Sequence, residues 1–555
     1  MNLAFTVSDS YIDYMGTTLY SIMLHTRKCP VSVYVLTSDI SDYSRFKLQK
    51  LEKHFNNLRI HIQVVDSQRF EDFPLNRSHI TRPEVYFRMA FASLLPQLDR
   101  ILYLDSDILA QKDLQPLWDT ALEGAYMAAV SEPPSDGAFD YRRSIGMTNP
   151  QYYFNSGVLL MDLKKIREDQ IEDRLFDCGQ AIKDKIRLQD QDIINVALEG
   201  QIKVLDPIYN YGYMEKQAQL RDQADIVLNH FSLEKPWNRY IDVPEYNRLA
   251  VNHYLECHQA YRHLIEPKIS LVLPIFEAAR FLDKTLDSIG QQVYGNIECV
   301  ILDYSADRKT RDCCLAAIKT SSIFRYYSLA PKDKDQFLQE GLERMAGSYL
   351  SFIFANDWVD SFYLAKLFLA VQQDRTGISK ITCCQFDQNS GNFYFFHPLY
   401  ERKQTIDGMS YLQQSQLAAS QLTTYYQSLS GMLLAPQVVT TAWQRRKQLP
   451  SQLLTRFLIS SQNQLTYLPE VAYISSKGQT DLPRLTNNQA VADYFAALQT
   501  YHVLTRGGDK DFYRQELLAL SKEINGIEPN LAEDIGLELK LLEEYPMEEK
   551  GNTIL

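Results

Sequence analysis

The sequence predicts an α/β chain of two tandem domains, each built on a mixed, mostly parallel sheet, followed by a helical tail. Three observations predict it. Strand and helix signals alternate from residue 1 to about 120, the rhythm of a parallel sheet. The same rhythm restarts at Lys268. And 555 residues exceed what one hydrophobic core organises.

Leu3–Val7 reads as the first strand, followed by Ser8-Asp9-Ser10, and Tyr14–Thr26 carries apolar residues at helical spacing. Val31–Leu36 is a second strand. Ser41 is placed to cap a helix through Phe55, with Phe46, Leu48 and Leu51 as its apolar side. Arg59–Val65 is a third strand, Pro83 suits the opening of a helix reaching Leu95, and Ile101–Leu104 is the fourth strand. Ligands of such sheets bind beyond the carboxyl ends of the strands. Asp9 and Ser10 after the first strand and Asp105 and Asp107 after the fourth should therefore share a crevice. Asn238 to about Glu266 reads as helical and linker-like. Ile269–Pro274, Phe281–Ile289 and Ile297–Leu302 read as strand, helix and strand of a new domain. Val491–Leu504 and Glu533–Tyr545 are helical patterns in a tail that ends acidic (Glu543, Glu544, Glu548, Glu549). The expected divisions are 1–240, a linker at 241–267, a second domain at 268–480 and the tail at 481–555.

A net charge of −12 argues against nucleic acid or an anionic membrane held by bulk positive charge. No charge-free apolar run of about 18 residues predicts a transmembrane segment. Met1-Asn2-Leu3 opens without the basic region of a signal peptide. The eight cysteines, with the pairs Cys313-Cys314 and Cys383-Cys384, lack metal spacing and read as reduced thiols of a cytoplasmic protein.

The stretch Ile101 to Asp107 carries the chemistry. Two carboxylates, Asp105 and Asp107, at the end of a buried strand are costly unless a cation neutralises them. A hard divalent ion takes carboxylate oxygens and leaves room for phosphate oxygens. A D-x-D alone is poor evidence, since Asp190/Asp192, Asp333/Asp335 and Asp509/Asp511 repeat it. Solvated acids at a strand end are the plain alternative. The apolar strand leading in sets Asp105/Asp107 apart.

Three further stretches follow: Tyr153-Phe154-Asn155-Ser156-Gly157-Val158-Leu159-Leu160, Leu188-Gln189-Asp190-Gln191-Asp192-Ile193-Ile194-Asn195 and His230-Phe231-Ser232-Leu233-Glu234-Lys235-Pro236-Trp237. Taken singly, His230 reads as a structural histidine, Lys235 as a surface charge and Arg88 as an ion-pair partner. In this order, with the D-x-D, the stretches resemble the family-8 glycosyltransferases over residues 1–240. That family has the GT-A fold and retains the donor's anomeric configuration.

The resemblance implies Mn²⁺ and a UDP-sugar donor. It implies Asp105, Asp107 and His230 as metal ligands, with Ser106 between the two acids, and Lys235 on the diphosphate. It implies Asp9, Ser10 and Tyr11 at the uracil and ribose. Arg88, in Tyr86-Phe87-Arg88, falls beside the donor sugar, and Asn155, Asp190 and Gln191 fall around the sugar and its anomeric carbon. Glu132 occupies a position that can carry Asp in relatives. Leu233 departs from the glycine many relatives place there, and the interval to Lys-Pro-Trp is one residue shorter, which bears on the phosphate contacts. In the reaction, negative charge grows on the diphosphate, where the metal and Lys235 would meet it. Positive charge grows on the sugar, where Asp190 or the Gln191 carbonyl would. A neutral amide is a poor nucleophile, so attack by the acceptor hydroxyl on the face UDP leaves is expected. A covalent intermediate on Asp190 is the alternative.

The stretch from Lys268 resembles the family-2 glycosyltransferases, also GT-A folds, through Gly341–Phe352 and less clearly to about Gln479. Where that family carries metal-binding acids, this chain reads Phe354-Ala355-Asn356-Asp357-Trp358, and Asp303-Tyr304-Ser305 replaces its earlier paired acids. Phenylalanine cannot ligate Mn²⁺, so a domain that keeps the fold and has lost catalysis is expected. The fusion resembles bacterial enzymes that extend O-linked glycans on serine-rich-repeat adhesins. It implies a hexose, galactose or glucose, moved from UDP to a glycan or glycoprotein acceptor. One rival is a non-catalytic glycan-binding or chaperone-like subunit; another is a bifunctional enzyme with a live second domain.

Overall fold

The computed structural model describes residues 1–75, 82–212, 225–232, 235–238, 245–277, 280–417, 425–477, 488–523 and 529–544. The chain divides into two units, Met1–Ile265 and Glu266–Leu555.

The first unit holds a seven-stranded sheet of β1 (Asn2–Thr6), β2 (Val31–Thr37), β3 (Leu58–Val64), β4 (Arg100–Leu104), β6 (Met127–Val130), β7 (Val158–Asp162) and β8 (Ile202–Leu205), in the order β3-β2-β1-β4-β7-β6-β8. β3, β2, β1 and β4 run parallel. β7 is antiparallel to both β4 and β6, and β8 runs parallel to β6. Strand alternation explains why both faces are covered. Leu3, Phe5, Leu102, Leu104, Val158 and Leu160 enter one core, while Ala4, Ile101, Tyr103, Leu159 and Met161 enter the other. A second, three-stranded sheet joins β5 (Ile108–Ala110), β10 (Leu228–His230) and β9 (Tyr211–Gly212). It fastens the segment after β4 to the segment that carries His230.

The expected helix at 14–26 spans Ile12–His25. Ser41 caps Asp42–His54 by accepting from the Ser44 N–H at 3.2 Å. The segment expected as one helix from Pro83 to Leu95 differs. It runs as a 3-10 stretch, Pro83–Ala90, and a single α turn, Phe91–Leu94. Tyr86–Ala92 is buried throughout, so packing on every side decides its path, not a one-faced helical periodicity. Helix Glu245–Ile265, read from the sequence as linker, lies in the first unit with Tyr254 and Tyr261 fully buried. Tyr261 lies over Gly16, where a Cβ would meet its hydroxyl oxygen at 2.2 Å, so only glycine admits the ring.

The second unit repeats the wiring with β11 (Ile269–Ile275), β12 (Ile297–Asp303), β13 (Phe324–Ser328), β14 (Tyr349–Phe352), β15 (Trp358–Val359), β16 (Ile378–Asp387), β19 (Met432–Leu434) and β20 (Leu465–Lys477). Their order is β13-β12-β11-β14-β19-β16-β20-β15; β17 (Phe393–Phe395) and β18 (Gln404–Ile406) are added at β16 and β20. The first seven strands pair parallel, parallel, parallel, antiparallel, antiparallel, parallel, the same succession as in the first unit. The tail holds helices Asn488–Leu504, Lys510–Glu523 and Pro529–Glu544; Glu548 and Glu549 lie outside the described residues. No helix among the described residues is long and apolar enough to cross a membrane.

Candidate active site

A cavity opens at the carboxyl ends of β1 and β4, the place the strand order dictates. It is lined among others by Ser10, Tyr11, Arg88, Asp105, Ser106, Asp107, Asn155, Asp190, Gln191, His230 and Lys235. The sequence-expected residues therefore meet there, with two exceptions. Asp9 does not line the cavity: its Oδ1 accepts from the Ser41 N–H at 2.9 Å and the Ser41 hydroxyl at 3.0 Å. Glu132 stands behind the wall, where its Oε2 accepts from Gln191 Nε2 at 2.8 Å. Leu233 and Glu234 lie outside the described residues.

β10 pairs antiparallel with β5, setting His230 opposite Ile108, and the Phe231 N–H donates to the Asp107 carbonyl at 3.0 Å. His230 Nε2 lies 3.2 Å from Asp107 Oδ1 and 3.6 Å from Asp105 Oδ2. Candidate ligand atoms of Asp105, Asp107 and His230 fall within 4.8 Å of one another, and among the described residues they form the one such acidic-histidine group. Two observations fit a cation here. Among the described residues, Asp107 Oδ1 is buried and makes no hydrogen bond of good geometry. At Gly157 a Cβ would fall 2.3 Å from His230 Cε1 and 2.8 Å from Asp105 Oδ2, so the cradle needs the bare glycine backbone. Carboxylate oxygens suit Mn²⁺, and an imidazole beside them suits a transition-metal ion.

The charges are tightly cross-linked. Burial alone would raise the Asp107 carboxyl, but His230 and Lys235 hold it well below the usual carboxylate range. Lys235 donates to Asp107 Oδ2, and to the Phe231 carbonyl at 2.9 Å. Trp237, two residues on, stacks on Tyr14 with ring centroids 3.8 Å apart, anchoring the Lys-Pro-Trp segment. Arg88 bridges the two acids, with Nη2 3.2 Å from Asp105 Oδ1 and Nε 3.3 Å from Asp190 Oδ2. Its Nη1 donates to the Ser156 carbonyl at 2.7 Å, and its guanidinium lies over Tyr103. Burial pushes Asp190 up to about 7, against the pull of Arg88 and with the push of Asp105.

Asp190 and Gln191 open helix Asp190–Ala197, preceded by Gln189 at φ 48°, ψ −125°, a backbone state strained for a non-glycine residue. Asp192 turns away from the cavity, accepting from the Arg187 and Leu188 N–H groups at 2.8 Å. The second D-x-D thus divides into one cavity acid and one cap. Asn195 clamps the Phe154 peptide from both sides, at 2.7 and 2.8 Å, joining the two motif stretches. Sequence reasoning missed Asn210, which bridges Asn155 and His230. It also missed Tyr103, whose hydroxyl donates to Asp105 Oδ1. A lone polar residue between Tyr209 and Tyr211 was the only trace of Asn210 in the sequence.

Four rings gather at the corresponding strand ends of the second unit. Phe276, Tyr304, Phe337 and Phe354 pack at the ends of β11, β12 and β14 with neighbouring centroids 5.6 to 6.2 Å apart. Asn356 Oδ1 accepts from the Phe281 N–H at 2.8 Å, and Asp303 accepts from Ser305 and Tyr326. Asp357 is buried, accepting from the Tyr473 hydroxyl at 2.6 Å and the Ser476 N–H at 2.7 Å. Burial outweighs these bonds and pushes its carboxyl up to about 7. The fold then binds this proton more tightly than the unfolded chain does. Stability from this group is complete below about pH 4 and is lost as pH rises to about 7. Asp357→Asn, whose oxygen can accept from the Ser476 N–H while its NH₂ donates to the Tyr473 hydroxyl oxygen, is expected to flatten that slope and to stabilise the unit above pH 7 by up to about 4 kcal/mol. Calorimetric melting between pH 4 and 8 measures it; parallel pH profiles for the variant and wild type contradict it.

The sequence pattern described as Glycosyl transferase family 8 matches residues 2–240, and that described as Glycosyl transferase family 2 matches residues 270–433. Lipopolysaccharide 1,2-glucosyltransferase of Escherichia coli (strain K12) is 27% identical over 297 residues, 48% of this chain and 85% of that protein. Glycosyltransferase GlyF of Streptococcus pneumoniae serotype 4 (strain ATCC BAA-334 / TIGR4) is 30% identical over 246 residues, 43% of this chain and 58% of that protein. A crystal structure of the galactosyltransferase LgtC with donor and acceptor sugar analogs is 27% identical, with a TM-score of 0.42 over 47% of this chain and 96% of that one.

Proposed function

We propose, from the premise that residues 2–240 of this chain are a glycosyl transferase family 8 domain and residues 270–433 a family 2-like domain, that it is a Mn²⁺-dependent retaining glycosyltransferase moving galactose or glucose from UDP to a glycan acceptor. The observation that carries the reading is the meeting of Asp105, Asp107 and His230 in one cavity with Arg88, Asn155, Asp190 and Gln191. The three would hold Mn²⁺, which when bound supplies Lewis-acid stabilisation of the departing diphosphate.

The chain's own residues do the remaining work. Lys235 brings an ammonium to the same end of the cavity, where diphosphate charge develops. Arg88 ties Asp105 to Asp190 and so fixes the spacing between the diphosphate end and the sugar end. The Gln191 carbonyl oxygen accepts from the Ser156 N–H at 3.1 Å, and Asp190 is engaged by Arg88. Neither is a free nucleophile. This supports attack by the acceptor hydroxyl on the face UDP leaves, its proton passing to the leaving phosphate oxygen. Tyr11 and Ser10 bound the nucleoside end.

The same proposal makes the second unit non-catalytic, supported by the rings gathered at its strand ends and its engaged polar groups. The acceptor is a glycosylated Ser/Thr-rich polypeptide of the serine-rich-repeat adhesin kind, and the setting is cytoplasmic. Release of UDP from a panel of UDP-sugars, with and without Mn²⁺, tests the reading. Mn²⁺-stimulated release from UDP-galactose or UDP-glucose is expected; the absence of release from every donor overturns it.

A further inference from the structure

We infer that Asn210 is a positioning residue that fixes the tautomer of His230, presenting an unprotonated Nε2 to the metal position and tying that position to the amides at the sugar end. The inference rests on the metal-dependent reading above.

The direction of each hydrogen bond follows from groups with no choice of role. A backbone N–H can only donate. The Ser156 N–H meets Gln191 Oε1 at 3.1 Å, and the Gly157 N–H meets the Asn155 side chain at 2.9 Å, so the Asn155 atom facing Gly157 is its oxygen. That same oxygen meets Asn210 at 2.8 Å, which must therefore present its NH₂ there. The remaining amide atom of Asn210 is then its oxygen, and it lies 2.8 Å from His230 Nδ1. An amide oxygen only accepts, so Nδ1 carries the proton in the neutral ring. The Nε2 lone pair is left facing Asp107 Oδ1 at 3.2 Å and Asp105 Oδ2 at 3.6 Å. The Gly157 N–H thus sets a tautomer three groups away.

The far end is anchored likewise. Gln191 Nε2 donates to Glu132 at 2.8 Å, and Asn155 Nδ2 lies 3.3 Å from Gln191 Oε1. Glu132, Gln191, Asn155, Asn210 and His230 form one chain in which every donor points the same way. Asn210 is 5% exposed and does not line the cavity, so it acts through its neighbours. It is held in place by strand pairing: β9 begins at the next residue and runs parallel to β10, with Tyr211 beside Asn229 and Gly212 beside His230.

Two substitutions separate the two ends of Asn210. Asn210→Asp keeps an acceptor for Nδ1–H but offers Asn155 no N–H. Asn210→Leu removes both. Mn²⁺ binding to the full chain, read from loss of the free Mn²⁺ signal in electron paramagnetic resonance, needs no turnover. Asn210→Leu is expected to weaken binding by about 10- to 100-fold, the usual effect of removing the partner of a ligating histidine. Asn210→Asp is expected to stay within about threefold of wild type while losing about tenfold in kcat for UDP release. Equal Mn²⁺ affinity in wild type and Asn210→Leu overturns the inference while leaving the metal reading intact. A wild-type chain that binds no Mn²⁺ overturns both. Nitrogen-15 spectra of histidine-labelled wild type at pH 9, assigned with His230→Gln, need no Asn210 variant to fold. A protonated Nε2 there also overturns the inference.

Discussion

Asp107→Asn is expected to cut Mn²⁺-stimulated UDP release, as kcat/KM, on the order of a thousandfold, or ~4 kcal/mol of transition-state stabilisation. The amide keeps the shape but loses the charge at Oδ1, which is buried without a hydrogen bond among the described residues, and at the atom that Lys235 holds. Loss of the anion is expected to weaken Mn²⁺ first and the donor through it, so KM for the UDP-sugar rises while kcat falls. The configuration of any residual product separates the rival enzymes. A surviving retained product at wild-type rate removes the metal from the mechanism. A surviving inverted product returns catalysis to the second unit, despite its rings.

Arg88→Met is the second large effect, and it falls on stability as well as on rate. The guanidinium is 5% exposed and lies between Asp105 and Asp190. Removing it leaves two carboxylates facing one another without their shared cation, a change that costs about 3–5 kcal/mol when one partner of a buried pair is lost. The first unit is therefore expected to melt several degrees lower and activity to fall below detection. The penalty belongs to the stranded acid, so adding Asp190→Asn to Arg88→Met should restore about half of the lost stability without restoring turnover. Differential scanning calorimetry of the four chains of this cycle measures the coupling. Strict additivity of the two substitutions means that Arg88 and Asp190 do not hold one another.

Most of the framework was legible in the sequence because it depends on short-range periodicity. β1, β2, β4 and the Ser41-capped helix follow from alternation and capping alone, and the crevice follows from strand order. Asp105 and Asp107 were legible as acids behind an apolar strand. His230 and Lys235 needed the order of four motifs, because 122 residues separate Asp107 from His230. Asn210 carries no periodic or compositional signal; its role exists only where β9 meets β10. Asp9 was assigned to the nucleoside by position, yet in the structure it caps Ser41 from a distant turn. The loss of acids in the second unit was visible at Phe354 and Asn356. The gathering of rings at its strand ends was not, since Phe337 comes from a helix separate in sequence from the strands it meets.

Four rings gathered at the ends of β11, β12 and β14 make that place costly for a lone charge. Restoring one acid at Phe354 would set a lone carboxylate among Phe276, Tyr304 and Phe337, with Asp357 still committed to Tyr473 and Ser476. A carboxylate placed there raises the free energy of the fold unless a cation or a hydrogen-bond donor comes with it.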